Sequence, residues 1–126
     1  WFDGRSLGID PYSFTKEVVQ VWTMHSARAI FEHGLRINAV CPSPIDTPLL
    51  GDFRATLNEA GLDFVLQTGG GRPVTPREVA AVLAWLGSPA SSFVNGQNIN
   101  IDAGFQASMT TGQVDTSAVR AQAGRA

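Results

Sequence analysis

DPYSFTKEVVQVWTMHSARAIFEHGLRINAVC, residues 10–41, decides the fold. Asp10 can cap a helix, and Pro11 suits its first position because the N–H that proline lacks would find no partner there. No further Pro or Gly interrupts residues 12–33, and Gly34 supplies the stop. The apolar residues Phe14, Val18, Val19, Val21, Trp22, Met24, Ala27, Ala29, Ile30 and Phe31 cover more than one stripe. That predicts a helix buried on two sides, one against its own sheet and the other against a partner chain. Residues 35–41, LRINAVC, follow at once and read as a strand, with Arg36 and Asn38 interrupting the apolar positions.

The flanking sequence extends this helix–strand unit. Residues 1–10 hold two glycines and read as a loop. Pro42, Pro44 and Pro48 make 42–50 irregular. Residues 51–71, with Gly51, Gly61 and the triplet Gly69-Gly70-Gly71, read as a mobile excursion. Thr75 and Glu78 then form a capping box around Pro76, and Val79, Ala80, Val82, Leu83 and Leu86 give the following helix its apolar stripe. Gly87 and Pro89 end it, and Asn95-Gly96 turns the chain into a strand over 97–102. From Ala107 the sequence is small and polar, which predicts a loosely ordered tail over 107–126 after a folded part over 1–106. Helix, strand, loop, helix, strand is the end of an alternating α/β fold with a parallel sheet. Two short parallel strands need neighbours and helical cover, so the rest of the sheet is expected from preceding sequence or from another chain. The chain opens on Trp1 rather than methionine, which fits processing or a piece of something longer; the element order favours the second.

Composition narrows the partners. Across 126 residues, 44% are hydrophobic and 16% charged, with a net charge of -2, which gives no pull toward nucleic acid or anionic membranes. No apolar run approaches the roughly 18 residues of a membrane span. Cys41 is the only cysteine, so no internal disulfide can form, and a cytoplasmic setting is the simplest expectation.

The chemistry is carried by Tyr12-Ser13-Phe14-Thr15-Lys16, a Tyr-x-x-x-Lys at a helix start. The i, i+4 spacing puts both side chains on one face, one turn apart. A free phenol is a poor proton acceptor at neutral pH. A neighbouring ammonium and the positive end of the helix dipole both favour its ionised form. Alcohol oxidation needs such a group to take the hydroxyl proton as hydride leaves the carbon.

Taken with its surroundings, this motif resembles the short-chain dehydrogenase/reductase family, in particular the branch of coniferyl-alcohol dehydrogenases and 3α-hydroxysteroid dehydrogenase/carbonyl reductases. The resemblance rests on YSFTK, then VWTM, then GLRINAVCPSPIDTPLL, then RPVTPREVAAVLAWLGSPASSFVNGQNINIDAGF, in order over residues 12–105. It implies the C-terminal part of a Rossmann-like doubly wound parallel sheet, without the N-terminal dinucleotide-binding half. It implies NAD or NADP as cofactor and a small alcohol or carbonyl compound as substrate. Tyr12 would then be the general acid/base, and Lys16 would assist it and hold the nicotinamide ribose. Pro42, Ser43, Pro44, Ile45 and Thr47 would line the nicotinamide, Ile45 through its backbone and Thr47 through its hydroxyl. Ser43 stands where the family usually has glycine, and its Cβ is tolerated where the backbone angle is negative. The family's glycine-rich motif, relay asparagine and catalytic serine all lie upstream of the tyrosine, and Ser6 reads as a loop residue.

Other residues read as structural. Gly69-Gly70-Gly71 lacks the Gly-Lys-Ser/Thr of a phosphate loop and suits a substrate loop. His25 and His33 have no matching ligand set, so no metal site is expected. Cys41 suits a small buried position, Asn38 a structural hydrogen bond, and Asp102 a strand-end cap. The implied activity is an NAD(P)-dependent alcohol/carbonyl oxidoreductase, working as a homodimer or homotetramer joined through helix 11–33. The alternative is a non-catalytic fragment that acts as an oligomerisation module.

Overall fold

The computed structural model describes residues 11–52, 59–115 and 117, with residue 60 by its backbone alone. The loop expected over 1–10, the Asp10 cap, Ser6 and most of the tail beyond 115 lie outside the described residues. The elements are α1 (Pro11–Phe31), β1 (Ala39–Pro42), α2 (Glu59–Thr68), α3 (Pro76–Leu86), a 3₁₀ turn (Pro89–Ser91), β2 (Asn98–Ile101) and α4 (Phe105–Thr110). β1 and β2 pair as neighbours in parallel. The Ala39 N–H donates to the Gln97 carbonyl at 2.8 Å, and the Ser43 N–H to that of Ile101 at 2.9 Å.

The chain divides into two compact units. The first comprises residues 1–40 and 84–99, the second 41–83 and 100–126.

In the first unit, α1 begins with Pro11 and ends where the sequence expects. Gly34 adopts φ +73°, and the Leu35 N–H closes the helix on the Ile30 carbonyl at 3.3 Å. Burial of α1 on two sides is not seen among the described residues. Thr23 is the buried residue of α1, while Val18, Val19, Val21, Trp22, Met24 and Phe31 are each about half exposed. The expected strand 35–41 is also shorter than its apolar pattern suggested, for Arg36 and Asn38 have other work. The Arg36 guanidinium donates to the carbonyls of Leu86 (2.7 Å) and Val94 (3.0 Å). Asn38 donates to Val94 at 2.9 Å and accepts from the Gln97 N–H at 3.0 Å. These bonds replace ladder pairing until Ala39.

In the second unit, the excursion expected over 51–71 contains a helix, α2, whose Leu62 is fully buried. Phe64 meets Phe105 of α4 edge-to-face, with ring centres 6.1 Å apart. Gly69 is compact rather than loose: a Cβ there would lie 2.9 Å from the Asp102 carbonyl and 3.2 Å from that of Val65. The capping box of α3 forms reciprocally, with the Thr75 N–H on Glu78 Oε2 at 2.8 Å and the Glu78 N–H on Thr75 Oγ1 at 3.3 Å. Asp102 caps the chain after β2, accepting from the N–H groups of Gly104 (3.0 Å) and Gln106 (2.9 Å). α4 follows with Gly104 as its N-cap residue and spans Phe105–Thr110, across the boundary expected at 106/107. No helix among the described residues is long and apolar enough to cross a membrane.

Candidate active-site residues

The two residues of the Tyr-x-x-x-Lys motif come together in the first unit. The Lys16 ammonium lies 5.1 Å from the centre of the Tyr12 ring, a cation–π distance. Both sit on the first turns of α1, and Tyr12 is half exposed. The Thr15 hydroxyl donates to the Tyr12 carbonyl at 2.7 Å, using a first-turn acceptor without disturbing the phenol. The phenol and ammonium thus share one accessible helix face.

The other expected site residues form a held loop in the second unit. Ser43 is tied to Ile101 through its N–H, as described. The Pro44 carbonyl accepts from the Val74 N–H at 3.0 Å, and the Asp46 N–H donates to the Val74 carbonyl at 2.8 Å. Ile45 and Val74 therefore make a parallel bridge. A bridge made through residues 44 and 46 turns the N–H and carbonyl of Ile45 away from Val74. Among the described residues neither group has a hydrogen-bond partner, and the same holds for the Thr47 hydroxyl. The Thr47 carbonyl accepts from the Leu50 N–H at 2.9 Å, which closes the loop. Ala103, at φ +52°, is the non-glycine residue with positive φ among those described, so Ser43 carries its Cβ on an ordinary backbone. Backbone donors and acceptors offered by a tethered loop are groups of the kind a planar carboxamide can meet.

Burial raises the Cys41 thiol above its ordinary value, with the Asp102 carboxylate as the smaller cause. No cluster of three or more potential metal ligands occurs among the described residues, and His25 and His33 are exposed on or just beyond α1. Sequence reading missed Val74, the partner that shapes the 44–46 backbone, and Asn98, whose side chain reaches α1. The Pro-Val-Thr-Pro run before α3 marks Val74 as extended, but no local signal names its partner.

Comparison with known proteins places the chain among similar molecules. A family profile described as enoyl-(acyl carrier protein) reductase matches residues 6–106. The short-chain dehydrogenase fogB of Aspergillus ruber is 36% identical over 99 residues, covering 77% of this chain and 36% of the relative. The 3-alpha-hydroxysteroid dehydrogenase/carbonyl reductase of Comamonas testosteroni is 38% identical over 108 residues, covering 84% of this chain and 41% of the relative. Among solved structures, levodione reductase superposes with a TM-score of 0.68 at 33% identity, over 76% of this chain and 39% of that one. The actinorhodin polyketide ketoreductase with NADPH gives 0.65 at 30% identity, over 75% and 40%. The chain thus spans well under half the length of these proteins.

Proposed function

Because this chain belongs to the short-chain dehydrogenase/reductase family, we propose that it carries the acid/base half of an NAD- or NADP-dependent oxidoreductase. The reaction interconverts a primary or secondary alcohol and its aldehyde or ketone. The observation that carries this reading is the Lys16 ammonium 5.1 Å from the Tyr12 ring on one accessible face.

The nicotinamide ring, when bound, supplies the two-electron acceptor or donor. In the oxidation direction the Tyr12 oxygen takes the hydroxyl proton of the substrate; in reduction it returns that proton to the carbonyl oxygen. Lys16, one turn along the same face, would offer N–H donors to the cofactor ribose. The loop Pro42-Ser43-Pro44-Ile45 with Thr47 would hold the nicotinamide, Ile45 through its backbone groups and Thr47 through its hydroxyl. Its tethers to Val74 and Ile101 support this role, for a preset backbone loses little freedom when it binds. A small hydrophobic alcohol or carbonyl compound is the substrate class, and a cytoplasmic setting accords with Cys41 as the only cysteine.

Tyr12→Phe in the whole protein tests this assignment. Loss of a positioned proton-transfer group lowers kcat by about 10²–10⁴-fold. An unchanged rate would refute the role.

A second reading has its own observation. Trp22, Val21 and Met24 on α1 are 57%, 60% and 54% exposed, a high cost for large apolar side chains in water. They support association through helix 11–33 into a homodimer or homotetramer, whether or not the chain by itself is catalytic. A sedimentation mass equal to one compact chain counts against it.

A further inference from the structure

Two side-chain amides near β2 reach the backbone of α1. Asn95 Nδ2 donates to the Ala27 carbonyl at 2.9 Å, and Asn98 Nδ2 donates to the Gln20 carbonyl at 3.3 Å. Gln20 and Ala27 are seven residues apart, so both carbonyls lie along one side of the helix, two turns from one another. Thr23, the buried residue of α1, falls between them. Gly96 brings the turn close enough for these contacts: a Cβ on it would lie 2.7 Å from the Ala27 Cβ.

The two asparagines differ in what else they do. Asn95 also accepts from the Ile37 N–H at 2.9 Å, so it serves the approach to the sheet as well as the helix. Asn98 serves the helix alone, and its Oδ1 is buried without a hydrogen-bond partner. A buried amide with half its capacity unused is a poor choice for stability, and an apolar residue of similar volume would spare the desolvation of that oxygen. What Asn98 supplies in return is a donor on Gln20, one turn beyond Lys16 and two beyond Tyr12.

From this geometry we infer that Asn98 is a positioning residue for the proton-transfer pair, setting with Asn95 the register of the helix that carries Tyr12 and Lys16. The inference rests on the proposed role of those two residues. A single contact would leave the helix free to turn about it. Two contacts along one side fix its rotation and its axial position together, and misplacement of a reacting group by about 1 Å costs on the order of 10²-fold in rate.

Asn98→Leu and Asn98→Asp in the whole protein test this. The first removes both polar atoms, and the second keeps the shape but puts an acceptor where the donor was. Four quantities are measured: kcat and KM for alcohol oxidation with NAD⁺ or NADP⁺, the melting midpoint, and hydrogen exchange of the amides of α1. The expected result is a kcat lowered about 10-fold with KM within roughly twofold. In Asn98→Leu the melting midpoint is retained, while exchange in residues 20–27 becomes faster. Wild-type kcat in either folded variant overturns the inference. So does, in Asn98→Leu, a fall in kcat matched by a proportionate fall in melting midpoint, because that pattern is merely structural. Tyr12→Phe, run beside them, separates the two claims: full activity there removes the functional reading, while the exchange data still decide whether Asn98 holds the helix.

Discussion

The ammonium of Lys16 faces the ring of Tyr12 from one turn further along the same helix, 5.1 Å from the ring centre. At such an exposed site a cation–π contact contributes about 0.5–1 kcal/mol to the fold, so its larger consequence is for chemistry. Lys16→Met should lower kcat on the order of 10²-fold while leaving the melting midpoint nearly unchanged. Lys16→Arg keeps the charge but replaces a compact ammonium with a planar fork, so it should restore only part of the rate. Steady-state rates beside thermal melts check both. Equal rates for Met and Lys at this position would show that the charge is idle.

Arg36 predicts a purely structural loss. Its guanidinium bonds two carbonyls at once, at the end of α3 and before the Asn95 turn. Arg36→Met leaves both carbonyls without their charged donor, and hydrogen bonds to charged groups contribute about 1.5–3 kcal/mol. Chemical denaturation should show a loss in that range. Arg36→Lys should recover less than half of it, because one ammonium does not reproduce the spacing of two guanidinium nitrogens.

Glu78 gives the fold an acid-sensitive point. Its carboxyl is lowered to about 2, first by the Arg72 guanidinium at 2.7 Å and then by the Thr75 N–H. A carboxyl held lower in the folded chain than in the unfolded one stabilises the fold above the unfolded range, near 4.5. That contribution fades as pH falls from there toward about 2. The Glu78 carboxyl signal in an NMR titration should therefore move below the ordinary glutamate range, and Arg72→Ala should bring it back upward. Glu78→Gln should remove this part of the pH dependence of the α3 start. An ordinary glutamate titration in the unmutated chain would contradict the arrangement.

How far the sequence reveals this structure depends on the range of each contact. Pro11 and Gly34 bracket α1, and the Thr75/Glu78 box starts α3, because helix ends are written in residues a few positions apart. The strand at 35–41 read too long because Arg36 and Asn38 bond residues 50 to 58 positions away. Residues 51–71 read as mobile from their glycines, yet Gly69 is there for close approach to Asp102 and Val65. Asp102 read as a strand-end cap, and its carboxylate accepts from the Gly104 and Gln106 N–H groups where α4 begins. At the candidate site, the Tyr12–Lys16 pair was legible because one helical turn joins it. The contacts from Asn95 and Asn98 to α1 were not, since they span 68 and 78 residues.

Two glycines of the first unit allow backbone strain to be separated from crowding. Gly34 and Gly96 have nearly the same left-handed φ, +73° and +71°. An added Cβ at Gly34 meets nothing within 4 Å, whereas at Gly96 it would stand 2.7 Å from the Ala27 Cβ. Gly34→Ala should therefore cost only the conformational penalty of an L-residue in that region, about 1–2 kcal/mol. Gly96→Ala carries the same penalty and must also push the turn away from α1, adding about 1–3 kcal/mol of overpacking. Denaturant midpoints of the two variants measure the difference directly. Because the displaced partner at Gly96 is the helix that carries Tyr12 and Lys16, Gly96→Ala should also lower kcat, and Gly34→Ala should not. Equal destabilisation by the two substitutions would mean that the turn can move away from Ala27 without cost, which would remove the tight contact between turn and helix.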